Sequence, residues 1–283
     1  MKPVRALVIT GYGLNCDYET NHALALAGAE SDRIHINELI AGDNSESGIK
    51  LDPYHILVVG GGFSWADDHG AGVLLASKLK FNLGEQIERF VTHGKLIIGI
   101  CNGFQALVNF GLLPGFNGHY QERTVAIIHN DSGNFIDAWV NLKVNHQSPC
   151  VFTKGIDLIQ LPVRHGEGKF YAPEKDIRHL MEYNLVVMQY ADETGKAAEG
   201  RWPVNPNGSL KDIAGICDPT GRIFGLMPHP EAFNHWTNHP DWTRMRESLR
   251  REGTRVEDRE GIGVRIFRNA VEYIQNQMAD GKF

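Results

Sequence analysis

The stretch Leu96-Ile97-Ile98-Gly99-Ile100-Cys101-Asn102-Gly103-Phe104-Gln105 decides the fold. An apolar run, Leu96–Ile100, meets a helix-patterned segment, Asn102–Phe110, with no loop between them. Gly99-Ile100-Cys101-Asn102-Gly103 at the junction has the spacing of a nucleophile elbow, with Cys in the place of Ser. Such a strand-to-helix turn strains the backbone of its central residue. The residues two places before and after must be small, because their side chains would otherwise collide. The turn lifts the sulfur clear of the sheet and sets it at a helix N-terminus, where amides and the helix dipole favour thiolate over thiol. A buried structural Cys in a glycine-rich turn is the alternative reading.

Working outward, strand and helix signals alternate through the first third of the chain. Val4–Thr10 is an apolar run that ends in Gly11-Tyr12-Gly13, and Asp17 opens a helix with an acidic first turn that runs to about Ala29. His55–Val59 is a second strand run, followed by Gly60-Gly61-Gly62-Phe63-Ser64. Residues 72–93 read as helix, with a break near Asn82–Gly84. Strands separated by helices predict an α/β fold: an open, mostly parallel central sheet with helices on both faces. From Thr124 the pattern changes. Val125–His129, Ala138–Val144 and Asp157–Leu161 read as strands, Glu174–Tyr183 as a short helix and Leu185–Tyr190 as a strand. Ile213–Cys217 and Arg222–Met227 flank Asp218-Pro219-Thr220-Gly221, a hairpin signal that adds an antiparallel strand element. The last helix covers about Val264–Met278. No repeat, low-complexity tract or Pro/Ser-rich linker marks a boundary, so one domain is expected over 1–283. Within it, 235–261 form a charged insertion: residues 241–260 hold six Arg and six Asp or Glu and read as a solvated helix or excursion.

Composition narrows the function. With 283 residues, 42% of them hydrophobic, the chain can bury a sizeable core and is not a disordered segment. A net charge of −6 disfavours nucleic-acid binding. No apolar run approaches the roughly 20 residues that span a bilayer. The N-terminus runs into a strand pattern without a signal-peptide core, so a cytoplasmic location and no membrane association are expected. Cys16, Cys101, Cys150 and Cys217 are far apart and contain no C-x-x-C pair, consistent with reduced thiols. Apart from Cys101 they read as core or surface thiols.

Pro228-His229-Pro230-Glu231 follows a strand run near the C-terminal end. His229 and Glu231 are two apart, so in an extended segment both point to one side. A carboxylate there holds the imidazole tautomer and supports the imidazolium, and the flanking prolines stiffen the segment. Cys101, His229 and Glu231 thus supply a nucleophile, a base and an orienter. The acid follows the His, whereas in an α/β-hydrolase it precedes it. The Gly60–Ser64 turn can aim backbone amides at a developing oxyanion, with the Asn102 amide as the second donor; a tight strand exit is the alternative. Other signals are weaker. His235, His239 and Asp241 could share a metal on a helix, but Pro240 and the neighbouring aromatics indicate an irregular segment, and no metal is expected. Gly11-x-Gly13 lacks the third glycine of a nucleotide loop. His165 and Glu167 are expected to be structural or to lie at an interface.

Gly99–Gln105 (G-I-C-N-G-F-Q), Gly61–Ser64 (G-G-F-S) and Met227–Glu231 (M-P-H-P-E) resemble the class I glutamine amidotransferases, whose fold is flavodoxin-like. Asn15-Cys16-Asp17, His165-Gly166-Glu167-Gly168 and Asn205-Pro206-Asn207-Gly208-Ser209 resemble one branch of them, the glutaminase subunits of phosphoribosylformylglycinamidine synthase in purine biosynthesis. The resemblance runs from about residue 4 to 234. It departs in two places: Trp65-Ala66-Asp67 stands where the branch has Tyr-Gly-Asp, and 235–261 is longer and more charged than in compact members. The resemblance implies that Cys101 attacks the side-chain amide of glutamine, that amides near Gly62–Phe63 and of Asn102 bind the oxyanion, and that Gln105 helps hold the substrate. It implies a partner synthetase subunit that receives the ammonia, in some members a small third subunit, and ATP with Mg on that partner, with no cofactor in this chain. The large ATP-using region of fused versions is not in this sequence, so a separate subunit is expected. The alternatives are a stand-alone cysteine hydrolase of a related elbow fold and a non-catalytic binding module.

Overall fold

A computed structural model describes residues 2–43, 48–253 and 260–283. Along the chain run β1 (Arg5–Thr10), α1 (Asp17–Leu26), β2 (Glu30–His35), α2 (Ile36–Asp43), β3 (Ile56–Val59), α3 (Val73–Thr92), β4 (Leu96–Ile100) and α4 (Asn102–Phe110). There follow β5 (Ala126–Ile128), β6 (Ile136–Val144), β7 (Leu158–His165), β8 (Lys169–Tyr171), α5 (Glu174–Glu182) and β9 (Val186–Ala191). Then come β10 (Ile213–Cys217), β11 (Ile223–Leu226), α6 (Trp242–Arg251) and α7 (Val264–Ala279).

Nine strands form one sheet in the order β2-β1-β3-β4-β11-β10-β9-β6-β7. β2, β1, β3, β4 and β11 are mutually parallel, and the remaining pairings are antiparallel, so only β6 and β10 run against the other strands. The expected mostly parallel sheet is therefore present. β5 and β8 make a separate antiparallel pair. Every residue of β3 (ILVV) and β4 (LIIGI) is buried, as strands covered on both faces require. The step from β1 to β2 moves one way across the sheet and the step from β3 to β4 the other way, so right-handed crossovers place α1 and α3 on opposite faces. α1 packs with α7, and α3 packs with α4 and α2.

Several sequence expectations change. α3 is continuous through Asn82–Gly84: a Cβ on Gly84 would meet nothing within 4 Å, and buried Leu79, Leu83, Ile87 and Phe90 anchor the helix on either side. A single glycine costs about 1 kcal/mol against Ala, too little to break a helix pinned in this way. β2 (ESDRIH) is a polar edge strand that carries no apolar alternation, and α2 follows it without a turn. Where the charged insertion was expected, α6 has no buried residue and its Glu247 pairs with Arg250 at 2.9 Å and Arg251 at 3.0 Å. His235 bridges Glu260 at the base of this excursion, while residues 254–259 lie outside the described residues.

Candidate active site

The C-terminal ends of β1, β3, β4 and β11 lie side by side, because these strands are parallel and adjacent. Open α/β sheets place ligands at that edge. Cys101 stands there between β4 and α4 with φ 52° and ψ −109°, a strained state for a non-glycine residue. The strain is held from both sides: the Cys101 amide donates to Leu226 O at 2.8 Å, and Gln105 N donates to Cys101 O at 3.1 Å. Gly103 must be glycine because a Cβ there would collide with the Val59 carbonyl.

β11 ends at Leu226 and delivers His229, whose amide donates to Pro162 O at 2.8 Å. His229 Nδ1 meets Glu231 Oε1 at 2.6 Å, with His229 2% and Glu231 0% exposed. Burial works against a charged ring. The Glu231 carboxylate, together with the Cys101 and Cys16 sulfurs, outweighs it and holds His229 well above its ordinary value. Among the described residues His229 Nε2 is buried and has no hydrogen-bond partner, which leaves it available for proton transfer. A Cβ on Gly61 would stand 2.8 Å from His229 Cε1 and 3.5 Å from Cys101 Cβ, so the glycine turn closes directly over this pair.

Two bonds fix that turn: Asn15 N donates to Gly61 O at 3.0 Å and Phe63 N to Gly13 O at 2.8 Å. The Phe63 amide is therefore committed and corrects the expectation of a donor there. The Gly62 amide has no partner among the described residues and is the donor left for an oxyanion. Asn102 joins the turn to the elbow. Its Oδ1 accepts from Ser64 N at 3.2 Å, and its Nδ2 donates to Asp67 Oδ1 at 2.8 Å and Gln105 Oε1 at 2.9 Å. Burial raises Asp67, and its bonds from Asn102 and Gly72 partly offset this. Trp65, Ala66 and Asp67 all have positive φ.

Cys101, His229, Gly62 and Phe63 line one cavity of about 370 Å3, together with Cys16 and Arg164. Gln105 is placed differently from expectation. Its Nε2 donates to Glu167 O and its Oε1 accepts from Asn102 Nδ2, so its amide ties the elbow to the segment after β7. His165 is buried and structural, with Nδ1 on Asn130 Oδ1 at 3.1 Å and Nε2 facing Asn207 Nδ2 at 3.5 Å; burial, with His229 nearby, lowers it to about 3. His239 is bonded through both ring nitrogens: Nε2 meets Gln160 Oε1 at 2.7 Å, and Nδ1 accepts from Asp241 N at 3.1 Å.

A family model, the CobB/CobQ-like glutamine amidotransferase domain, matches residues 3–274. The chain is 46% identical over 269 residues to the phosphoribosylformylglycinamidine synthase subunit PurQ of Methanococcus maripaludis, covering 95% of this chain and 97% of that one. The chain belongs to the glutamine amidotransferases of PurQ type. The PurQ subunit of Dehalococcoides mccartyi is 45% identical, over 96% of this chain and 98% of its own. Among solved structures, a chain of PurLQS from Thermotoga maritima superposes with a TM-score of 0.67 at 29% identity, covering 96% of this chain and all of that one.

One feature of this PurQ-type site escaped the sequence reading. Cys16 caps α1 in a left-handed conformation (φ 62°) and faces the His229 ring. Burial pushes its thiol up, with contact to His229 partly offsetting it. A signal was present: β1 and β4 are parallel, so the residues that follow β1 belong at the same edge as Cys101.

Proposed function

We infer that this chain is the glutaminase subunit of a phosphoribosylformylglycinamidine synthase and that Cys101, His229 and Glu231 are its catalytic triad. The observation that carries the chemistry is the convergence of Cys101, the free His229 Nε2 and the open Gly62 amide on one cavity. Cys101 Sγ attacks the side-chain carbonyl carbon of glutamine. The Gly62 and Asn102 amides take the oxyanion, an interaction that costs roughly 2.7–4 kcal/mol when a donor is lost in comparable chemistry. His229 gives its proton to the departing nitrogen, and ammonia leaves a glutamyl thioester. His229 then draws a proton from water, which attacks the thioester, and glutamate departs with the thiolate restored. Glu231 holds the ring and its charge throughout.

The ammonia goes to a PurL-type synthetase subunit, which uses ATP and Mg to convert formylglycinamide ribonucleotide to the amidine. A small PurS-type subunit joins that assembly, a reading supported by the kinship with a chain of the Thermotoga PurLQS structure. The rim suits docking: Tyr12, Tyr18, Phe63 and Phe135 are 55%, 70%, 46% and 53% exposed. Among the described residues no helix is long and apolar enough to cross a membrane, and we place the protein in the cytoplasm. The test is glutamate release by the chain alone and with its synthetase, nucleotide substrate and ATP. Strong stimulation by the partner is expected, and Cys101→Ala abolishes glutamine use while sparing ammonia use by the complex. Equal turnover with and without the partner refutes the subunit role in favour of a stand-alone hydrolase.

A further inference from the structure

The catalytic mechanism leaves Cys16 without a task, although its sulfur enters the same cavity as Cys101 and acts on the same imidazole. Ligand atoms of Cys16, His229 and Glu231 lie within 4.8 Å of one another, the only such grouping of His, Cys, Asp or Glu among the described residues. His229 Nε2, fully buried and unpartnered, borders the cavity that both sulfurs line. Two sulfurs and an imidazole are the donor set of zinc and other soft divalent cations. Tetrahedral zinc with bonds of about 2.0–2.3 Å sets its ligand atoms roughly 3.5 Å apart, so Cys16 and His229 need close in by only about 1 Å, whereas Cys101, which lines the same cavity but stands outside that grouping, has to turn further toward the ring. Glu231 Oε1 already holds Nδ1 at 2.6 Å, which is the outer-shell carboxylate that orients a metal-binding histidine and leaves Nε2 as the ligand.

We propose that Cys16 Sγ, Cys101 Sγ and His229 Nε2 form an inhibitory site for a soft divalent cation, zinc foremost, with water in the fourth position. Zinc takes cysteine sulfur as thiolate, so thiol protons leave as it binds. The bound metal occupies the nucleophile and the base together, so glutamine hydrolysis stops until a chelator removes it. The inhibitory consequence rests on the glutaminase reading, whereas metal binding does not.

The test uses the wild-type chain with zinc chloride. A chromophoric chelator in competition gives the stoichiometry, and iodoacetamide labelling mapped by peptide mass spectrometry gives the ligands. One equivalent of zinc is expected, with labelling of Cys16 and Cys101 slowed together at least tenfold and restored by EDTA. Cys16→Ser is expected to bind zinc at least tenfold more weakly, with circular dichroism confirming its fold, and whatever glutaminase activity it retains in the complex is less sensitive to zinc. Labelling of Cys16 unchanged by zinc overturns the proposal, as does equal zinc affinity in Cys16→Ser. Protection and stoichiometry are read without turnover, so loss of the glutaminase reading leaves them standing, and their failure leaves that reading intact.

Discussion

Replacing Glu231 by Gln preserves the shape of the buried His229 partner and removes only its charge. The Nδ1–Oε1 distance of 2.6 Å places the centres of the carboxylate and imidazolium charges roughly 4 Å apart. Such a pair is worth about 4 kcal/mol at an effective dielectric of about 20. At about 1.4 kcal/mol per factor of ten, glutamine-dependent kcat/KM falls by about 10^3. The amide also turns an NH2 toward Nδ1, which forces the tautomer with its proton on Nε2 and removes the base that should face Cys101. Since the carboxylate is what holds His229 up against burial, the alkaline limb of the glutamine profile that reports the imidazolium moves to lower pH. The assay is glutamine-dependent against ammonia-dependent amidine formation by the assembled complex, across pH. Ammonia use reports assembly and is expected to remain. A variant within tenfold of wild type on glutamine, with an unmoved alkaline limb, refutes the assignment of Glu231 as the charge partner of His229.

Gly61→Ala puts a methyl 2.8 Å from His229 Cε1. Displacement of the ring by even about 1 Å lowers glutamine kcat by roughly 10^2, measured with ammonia use as the control. Ala66 sits at φ 59°, so Ala66→Gly relieves left-handed strain and is expected to stabilise the fold by about 1 kcal/mol, read as a higher urea midpoint. His165 is lowered to about 3 in the fold, against an ordinary value near 6.5, so the unfolded chain takes up its proton first as pH falls. The neutral ring carries no penalty above about 6.5, and stability is lost below that at roughly 1.4 kcal/mol per unit until about pH 3. Between pH 6.5 and 5 the stability gap between wild type and His165→Gln is therefore expected to shrink by about 2 kcal/mol in chemical denaturation, and a gap that stays constant contradicts a buried neutral ring.

The parts of the molecule legible in the sequence are those whose chemistry is local. Leu96–Gln105 specifies strand, elbow and helix through residues in direct succession, and Asp218-Pro219-Thr220-Gly221 specifies its own hairpin, observed as antiparallel β10 and β11. His229 and Glu231 form their pair two residues apart, as the alternation requires. β2 was illegible because an edge strand need not alternate, and α3 survives Gly84 because distant side chains pin it. The Phe63 amide was misplaced because it is claimed by a partner far along the chain, Gly13, and the bond from Gln105 to Glu167 was hidden in the same way. Cys16 was read only within Asn15-Cys16-Asp17 and as a core or surface thiol, because its nearness to His229 rests on β1 and β11 ending at one edge of the sheet.

The pairing of β4 with β11 has a consequence for control. Ile100 faces Leu226 in register, and the Cys101 amide is tied to Leu226 O, so nucleophile and base ride on one welded block at the centre of the sheet. The Gly62 amide rides on something lighter, a surface turn that two hydrogen bonds pin to the Gly13–Asn15 segment, beside half-exposed Phe63. A protein that docks on this rim meets the turn before the block, and among the described residues only the bond from Ser64 N to Asn102 Oδ1 ties the turn to the elbow. Rotating one peptide plane there grants or withholds the oxyanion donor while the triad stays assembled. Coupling glutamine hydrolysis to demand for ammonia then requires no rearrangement of the core, only a hand on a single backbone N–H.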